Sequence, residues 1–245
     1  MNRIIVTANV GGRALHAESR ASMQAAAERW GARFVELTEW PIDVSARDPF
    51  RAKLHMEQII ASPQVADGRE CRVCWLDADV LIRSDAPSVF RVVPEGTLGG
   101  VANLQDGLTG VGDYAEWWEL AGRDIPGADR PELDLTRYIN GGLMVFGYPQ
   151  HATVWRMART ALTRRRRFHG QRVNPMYEQT AVNVAGAILD CIHPLPATWN
   201  RVGAHVWTWP AAELMDCHVF HWANYLGFRG TENKLRRAGE VQWRV

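Results

Sequence analysis

The chain has 245 residues, of which 47% are hydrophobic and 22% charged, with a formal net charge of +1. That length suits one α/β domain with a sizeable core, and the near-neutral balance excludes nucleic-acid binding driven by bulk electrostatics. No run approaches the roughly 20 consecutive apolar residues of a membrane span, and Met1-Asn2-Arg3-Ile4-Ile5-Val6 enters a strand without a signal-peptide core, so a cytoplasmic location is expected.

Residues 3–8 read as a buried strand, closed by the turn Asn9-Val10-Gly11-Gly12. Residues 17–30 form an Ala-rich helix stopped by Gly31, and residues 33–37 form the next strand. Strand, helix and strand within about forty residues make a βαβ unit, so a parallel sheet is expected. Asp48-Pro49 opens a helix that runs through Lys53 to Ile60. A loop with Pro63 and Gly68 then leads to the run Val73-Cys74-Trp75-Leu76-Asp77-Ala78-Asp79-Val80-Leu81-Ile82.

Further along, residues 97–102 are a strand, 103–112 are rich in turn formers, and 113–120 are helical and carry Trp117 and Trp118. Residues 124–131 are the most loop-like stretch, a lid, an acceptor loop or a plain surface loop. Tyr138-Ile139-Asn140-Gly141-Gly142-Leu143-Met144-Val145-Phe146 reads as a turn entering a buried strand. Residues 149–168 form a long helix ending in four Arg (164–167) that suit the helix dipole, and residues 177–189 form another helix. His218-Val219-Phe220-His221-Trp222 is strand-like. No repeat interrupts this pattern, so one domain is expected. The spacing of Cys71, Cys74, Cys191 and Cys217 does not make a zinc site, and Cys74 packs as a small apolar group. The 11 Trp suit a carbohydrate site or a core equally.

The chemistry concentrates at Asp77 and Asp79. Two acids at the end of a core strand are an error unless the chain opens there into a site. In extended backbone residues two apart point the same way, and two carboxylates so placed repel unless a cation lies between them. One reading is a divalent cation bridging the diphosphate of a nucleotide sugar. Another is a haloacid-dehalogenase-like phosphatase with Asp77 as nucleophile and Asp79 as acid/base. That enzyme type places its motif near the start of the chain and needs a downstream acidic pair. Here a βαβ region precedes the motif, and Gly112-Asp113 opens a helix. A non-catalytic nucleotide-sugar-binding protein is the third reading.

Five segments in order carry a resemblance: residues 76–80, residues 138–146, Glu178-Gln179 with Asn183, Leu195-Pro196 with Trp199-Asn200, and Val219-Phe220-His221. Together they resemble the retaining glycosyltransferases of family eight, the group with glycogenin and bacterial lipopolysaccharide galactosyltransferases. The resemblance implies a GT-A type, Rossmann-like α/β domain with a mostly parallel central sheet flanked by helices. Residues 1–105 would be the nucleotide-binding half and residues 106–245 the half for donor sugar and acceptor. It implies Mn²⁺ or Mg²⁺ held by Asp77, Asp79 and His221, with His218 the other candidate for the third ligand. It implies a nucleotide sugar, UDP-hexose by preference, with Thr7, Ala8, Asn9, Lys53, Ala78, Asn140, Gly141 and Gly142 beside the nucleotide and its sugar. Glu178 and Gln179 would grip the donor, Gln179 positioning it for same-face attack and Glu178 standing nearest as an alternative nucleophile. The acceptor, whether saccharide, lipid-linked or small-molecule, is left open. Two features depart from the family: Glu178 stands where it has Asp, and its closing His-x-x-Gly-x-x-Lys-Pro-Trp motif is reduced to His221 and Gly227, with Lys234 further on.

Overall fold

Ile4 and Val6 leave one face of β1 (Asn2–Ala8) and Ile5 leaves the other, and all three are buried. A strand buried on both faces requires cover on both sides of its sheet. The structure is a computed structural model describing residues 1–10, 17–43, 52–102, 134–169, 177–202 and 216–221.

β1 pairs in parallel with β2 (Arg33–Leu37) and with β3 (Cys71–Leu76). β5 (Leu98–Ala102) and β7 (Ile192–Leu195) form another parallel pair. β6 (Ile139–Tyr148) lies between β3 and β5, antiparallel to both. The six-stranded order is therefore β2-β1-β3-β6-β5-β7, with β6 the one reversed member. A smaller sheet runs β4 (Val80–Ile82), β9 (Val219–His221) and β8 (Arg201–Val202).

One face of the large sheet packs Ile4, Val73, Trp75 and Phe146 against α2 (Met56–Ala61), α4 (Ala152–His169) and α5 (Tyr177–Ile188). The other packs Ile5, Cys74, Leu76 and Val145 against α1 (Ala17–Trp30), α3 (Val89–Val92) and the β4–β9 sheet. The expected parallel sheet with flanking helices is present, and the reversed β6 is an addition.

Two local expectations change. The helix expected over 48–60 is interrupted where it is described. Ala52 and Lys53 are helical, Leu54 and His55 turn, and α2 begins at Met56. Asn140-Gly141-Gly142 is not a turn before the strand; it lies inside β6. Gly100 pairs with Met144 but Ala102 pairs with Ile139, so two steps along β5 correspond to five along β6. The three surplus residues bulge, which flips the facing of side chains: Ile139 shares a face with Met144 and Phe146.

α3 is not signalled by its sequence, because Val-Phe-Arg-Val favours strand. Arg72 accounts for part of it, donating from Nη1 to Phe90 O and from Nη2 to Val93 O, each at 2.7 Å, and so closing the helix's carboxyl end. Arg72→Met keeps the apolar stem but strips two buried carbonyls of a charged donor, and a loss of about 3 kcal/mol is expected. Urea denaturation of both proteins measures it.

All four cysteines are free, and burial pushes the Cys71 and Cys191 thiols up to about 11, which fits packing and not metal or redox chemistry. The turn at Gly11-Gly12, the Asp48 cap, residues 103–133 with Trp117 and Trp118, the side chains of Arg164 to Arg167, and the stretch from Trp222 through Lys234 lie outside the described residues. Among the described residues no helix is long and apolar enough to cross a membrane.

Candidate metal centre and donor site

β3 is apolar from Val73 to its end at Leu76, which pairs with Thr7 of β1 and Leu143 of β6. Because β6 is reversed, its amino end meets the carboxyl ends of β1 and β3. That is the edge at which parallel sheets bind ligands. The strand stops at Asp77, whose N–H donates to Gly142 O at 2.9 Å. Val80 N then donates to Asp77 O at 3.1 Å, closing a turn over Asp77-Ala78-Asp79. The two carboxylates thus converge through a turn, which replaces the extended alternation expected from their spacing.

His221 ends β9 opposite Val80. Its Nε2 stands 3.3 Å from Asp79 Oδ1 and 3.7 Å from Asp77 Oδ2, and one ligand atom from each of the three residues lies within 4.8 Å of the others. His218 does not join them: its ring packs on Trp199 with centroids 4.9 Å apart. Gly142 makes room for His221. A Cβ there would fall 2.0 Å from His221 Cε1 and 2.3 Å from Nδ1, so only glycine allows the ring its place. Two carboxylates and one imidazole are a donor set for a hard divalent cation such as Mn²⁺ or Mg²⁺, with further positions for ligand oxygens.

Asp77 is held from both sides. Trp75 Nε1 donates to Oδ1 at 3.1 Å, and Lys53 Nζ donates to Oδ2 at 2.7 Å and to Gly141 O at 3.3 Å. The Trp75 contact was not foreseen, although an indole N–H in an aliphatic strand needs an acceptor. Burial alone would lower the Lys53 pKa, but Asp77, Glu178 and Asp79 outweigh it and the ammonium is held above its ordinary value.

His221 follows the same logic. Burial lowers its pKa, while Asp79 and Asp77 outweigh that and raise it above the usual histidine range. A raised histidine gives stability that is full below its unfolded value of about 6.5 and is lost as pH rises through the folded value. The metal-free protein is therefore expected to lose thermal stability as pH climbs above that point. Mn²⁺ binding, which needs neutral imidazole, tightens over the same range. Melting curves with and without Mn²⁺ between about pH 6 and 9 test both trends, and His221→Gln should flatten them.

The remaining candidates form a buried amide network around the β6 bulge. Gln179 Oε1 accepts from Gly141 N at 2.9 Å and from Asn140 Nδ2 at 3.2 Å. Asn140 Oδ1 accepts from Gly142 N at 2.8 Å and from Asn200 Nδ2 at 3.0 Å. Asn183 brackets Ile139, accepting from its N–H at 2.7 Å and donating to its carbonyl at 2.8 Å. Glu178 is buried beside Lys53 and Gln179, lining with them a small cavity. Asn140, Gly141, Gly142, Glu178 and Gln179 thus gather at one edge with the three metal candidates.

Thr7, Ala8 and Asn9 end or follow β1 at that same edge. Among the described residues Thr7 Oγ1 is buried without a hydrogen-bond partner, while Asn9 Nδ2 donates to Glu36 Oε1 at 3.1 Å. A cavity of about 610 Å³ lies at the opposite edge, among residues that open β1, β2 and β3, and holds none of these groups. The convergent chemistry, not the volume, marks the site.

No family model and no curated protein matches the chain. Among solved structures, a glycosyltransferase involved in the glycosylation of the major capsid of PBCV-1 aligns over 99% of both chains at 12% identity, with a TM-score of 0.58. Mouse xyloside xylosyltransferase 1 in its apo form aligns over 93% of this chain and 99% of its own at 12% identity, with a TM-score of 0.49. The first likeness identifies the fold: a GT-A type α/β architecture with a mostly parallel central sheet.

Proposed function

We propose that the protein is a metal-dependent retaining glycosyltransferase of the family-eight kind, moving a hexose from a nucleotide sugar, UDP-linked by preference, to an acceptor. The observation that carries this reading is the Asp77, Asp79 and His221 cluster, set at the carboxyl edge of the sheet beside a buried lysine and amide network. These three residues would hold Mn²⁺ or Mg²⁺, which when bound supplies Lewis-acid charge at the donor's diphosphate.

The chain's own residues account for the rest. Lys53 adds a second positive charge where negative charge develops on the leaving group. Thr7, Ala8 and Asn9 line the edge that would take base and ribose. Gln179, braced by Gly141 and Asn140, orients the donor sugar, and Asn140 presents the bulge to it. Same-face attack needs no protein nucleophile; Glu178 is the carboxylate positioned to serve if a covalent step operates.

A panel of UDP- and GDP-sugars with Mn²⁺, followed by nucleotide release, tests the proposal. Slow hydrolysis of a UDP-hexose without acceptor is expected, and Asp79→Ala should abolish it. Absence of binding by both UDP and GDP with metal present overturns the reading. Phosphate release from a generic ester, lost in Asp77→Asn, would favour the phosphatase instead.

A further inference from the structure

Lys53 sits on the last helical residue before the chain breaks at Leu54 and His55, and the break leaves a backbone debt. In a continuous helix the N–H of Gln58 would bond Leu54 O, four residues back. Here Gln58 N bonds His55 O at 2.9 Å instead. Leu54 O is met from another element altogether: Arg159 of α4 donates to it from Nη1 at 3.1 Å. The same guanidinium places Nη2 2.5 Å from Glu57 Oε1 in the first turn of α2. Both side chains are largely buried, at 24% and 10% exposure. One planar fork therefore ties the break, at Leu54, to the first turn of α2, at Glu57.

We propose that Arg159 is a positioning residue for Lys53, resting on the reading of Lys53 and Asp77 as parts of the donor site. Apolar packing of Ala52, Leu54, Met56 and Ile59 fixes the depth of this segment. Packing does not fix the turn that aims the lysine stem. Lys53 reaches Asp77 on a four-carbon stem with several rotatable bonds, so the 2.7 Å contact depends on where its backbone is held. Without Arg159 a buried carbonyl and a buried carboxylate lose their donor together, and the turn rearranges to satisfy them. Arg159 holds Leu54 O and Glu57, and so acts through the segment that bears Lys53.

The chain suits a direct test, because Lys53 and Lys234 are its only lysines. Under mild acetylation of the native protein, mapped by mass spectrometry against the exposed Met1 amine, Lys53 should resist labelling. Arg159→Met should raise its labelling roughly tenfold. Should Arg159→Met fail to fold, Glu57→Gln removes the ion pair more gently and should raise labelling in the same direction. A folded Arg159→Met protein with Lys53 as protected as in the parent overturns the proposal.

Mn²⁺ calorimetry supplies a readout that mere destabilisation would not move. Arg159→Met should tighten Mn²⁺ binding as Lys53→Met does, and should add nothing in the Lys53→Met background. An effect of equal size in both backgrounds, or a change opposite in direction to that of Lys53→Met, also overturns the proposal. If the parent binds no Mn²⁺, the labelling result decides alone. Neither readout needs transfer activity, so failure of the sugar-nucleotide panel would defeat the functional reading and leave the positioning result standing.

Discussion

Gly142→Ala is expected to disrupt the candidate divalent-cation site while leaving the six-stranded sheet folded. The added methyl would stand 2.0 Å from His221 Cε1, and the ring is buried, so it must leave its place. Overpacking of this kind costs about 1 to 3 kcal/mol. The larger effect falls on function, because the ligand set drops from three protein groups to two. Mn²⁺ affinity should fall by about 100-fold or more, matching His221→Ala, and combining the two changes should cost no more than either alone. Isothermal calorimetry measures the affinities and far-ultraviolet circular dichroism checks the fold. Gly142→Ala protein that binds Mn²⁺ like the parent would remove His221 from the site.

Lys53→Met should move metal binding and catalysis in opposite directions. The ammonium lies 2.7 Å from Asp77 Oδ2, the same oxygen that faces His221 Nε2 at 3.7 Å. Removing it takes away one positive charge from beside Asp77, Glu178 and Asp79. A divalent ion then gains about 1 to 3 kcal/mol from the less opposed field, or about tenfold or more in affinity. Transfer should slow by about 100-fold, because positive charge aimed at the leaving group is lost. Calorimetry and nucleotide-release kinetics at saturating Mn²⁺ separate the two. Weaker metal binding together with slower transfer would mean that Lys53 organises Asp77 and does not compete for it.

The site was legible where it broke a pattern. Asp77 and Asp79 interrupt an apolar strand, so they stood out without any tertiary knowledge. His221 entered through the order of motifs, and its place beside Asp79 follows from β9 pairing with β4. β1, α1 and β2 were readable because each is short in range, with period and stop signals inside the element.

What escaped the sequence depends on partners far along the chain. Nothing local marks β6 as reversed, since an apolar strand reads the same in either direction. Asn140-Gly141-Gly142 fits a turn and a bulge equally, and only the pairing of Gly100 and Ala102 across the ladder distinguishes them. The break at Leu54 is likewise invisible without Arg159, which lies more than a hundred residues away. Arg72 would ordinarily argue against a core strand, yet it is buried because α3 offers it two carbonyls.

The three metal candidates do not belong to one sheet. Asp77 leaves the end of the large sheet, Asp79 directly precedes the small one, and His221 lies within the small one. A cation held by all three would act as a rivet between two layers that also share an apolar cluster. Occupancy then becomes a mechanical property: opening one sheet away from the other must first break a coordination bond. Amide hydrogen exchange across residues 80–82 and 219–221 should slow when Mn²⁺ is added, while exchange across residues 33–37, on the far edge, stays as it was.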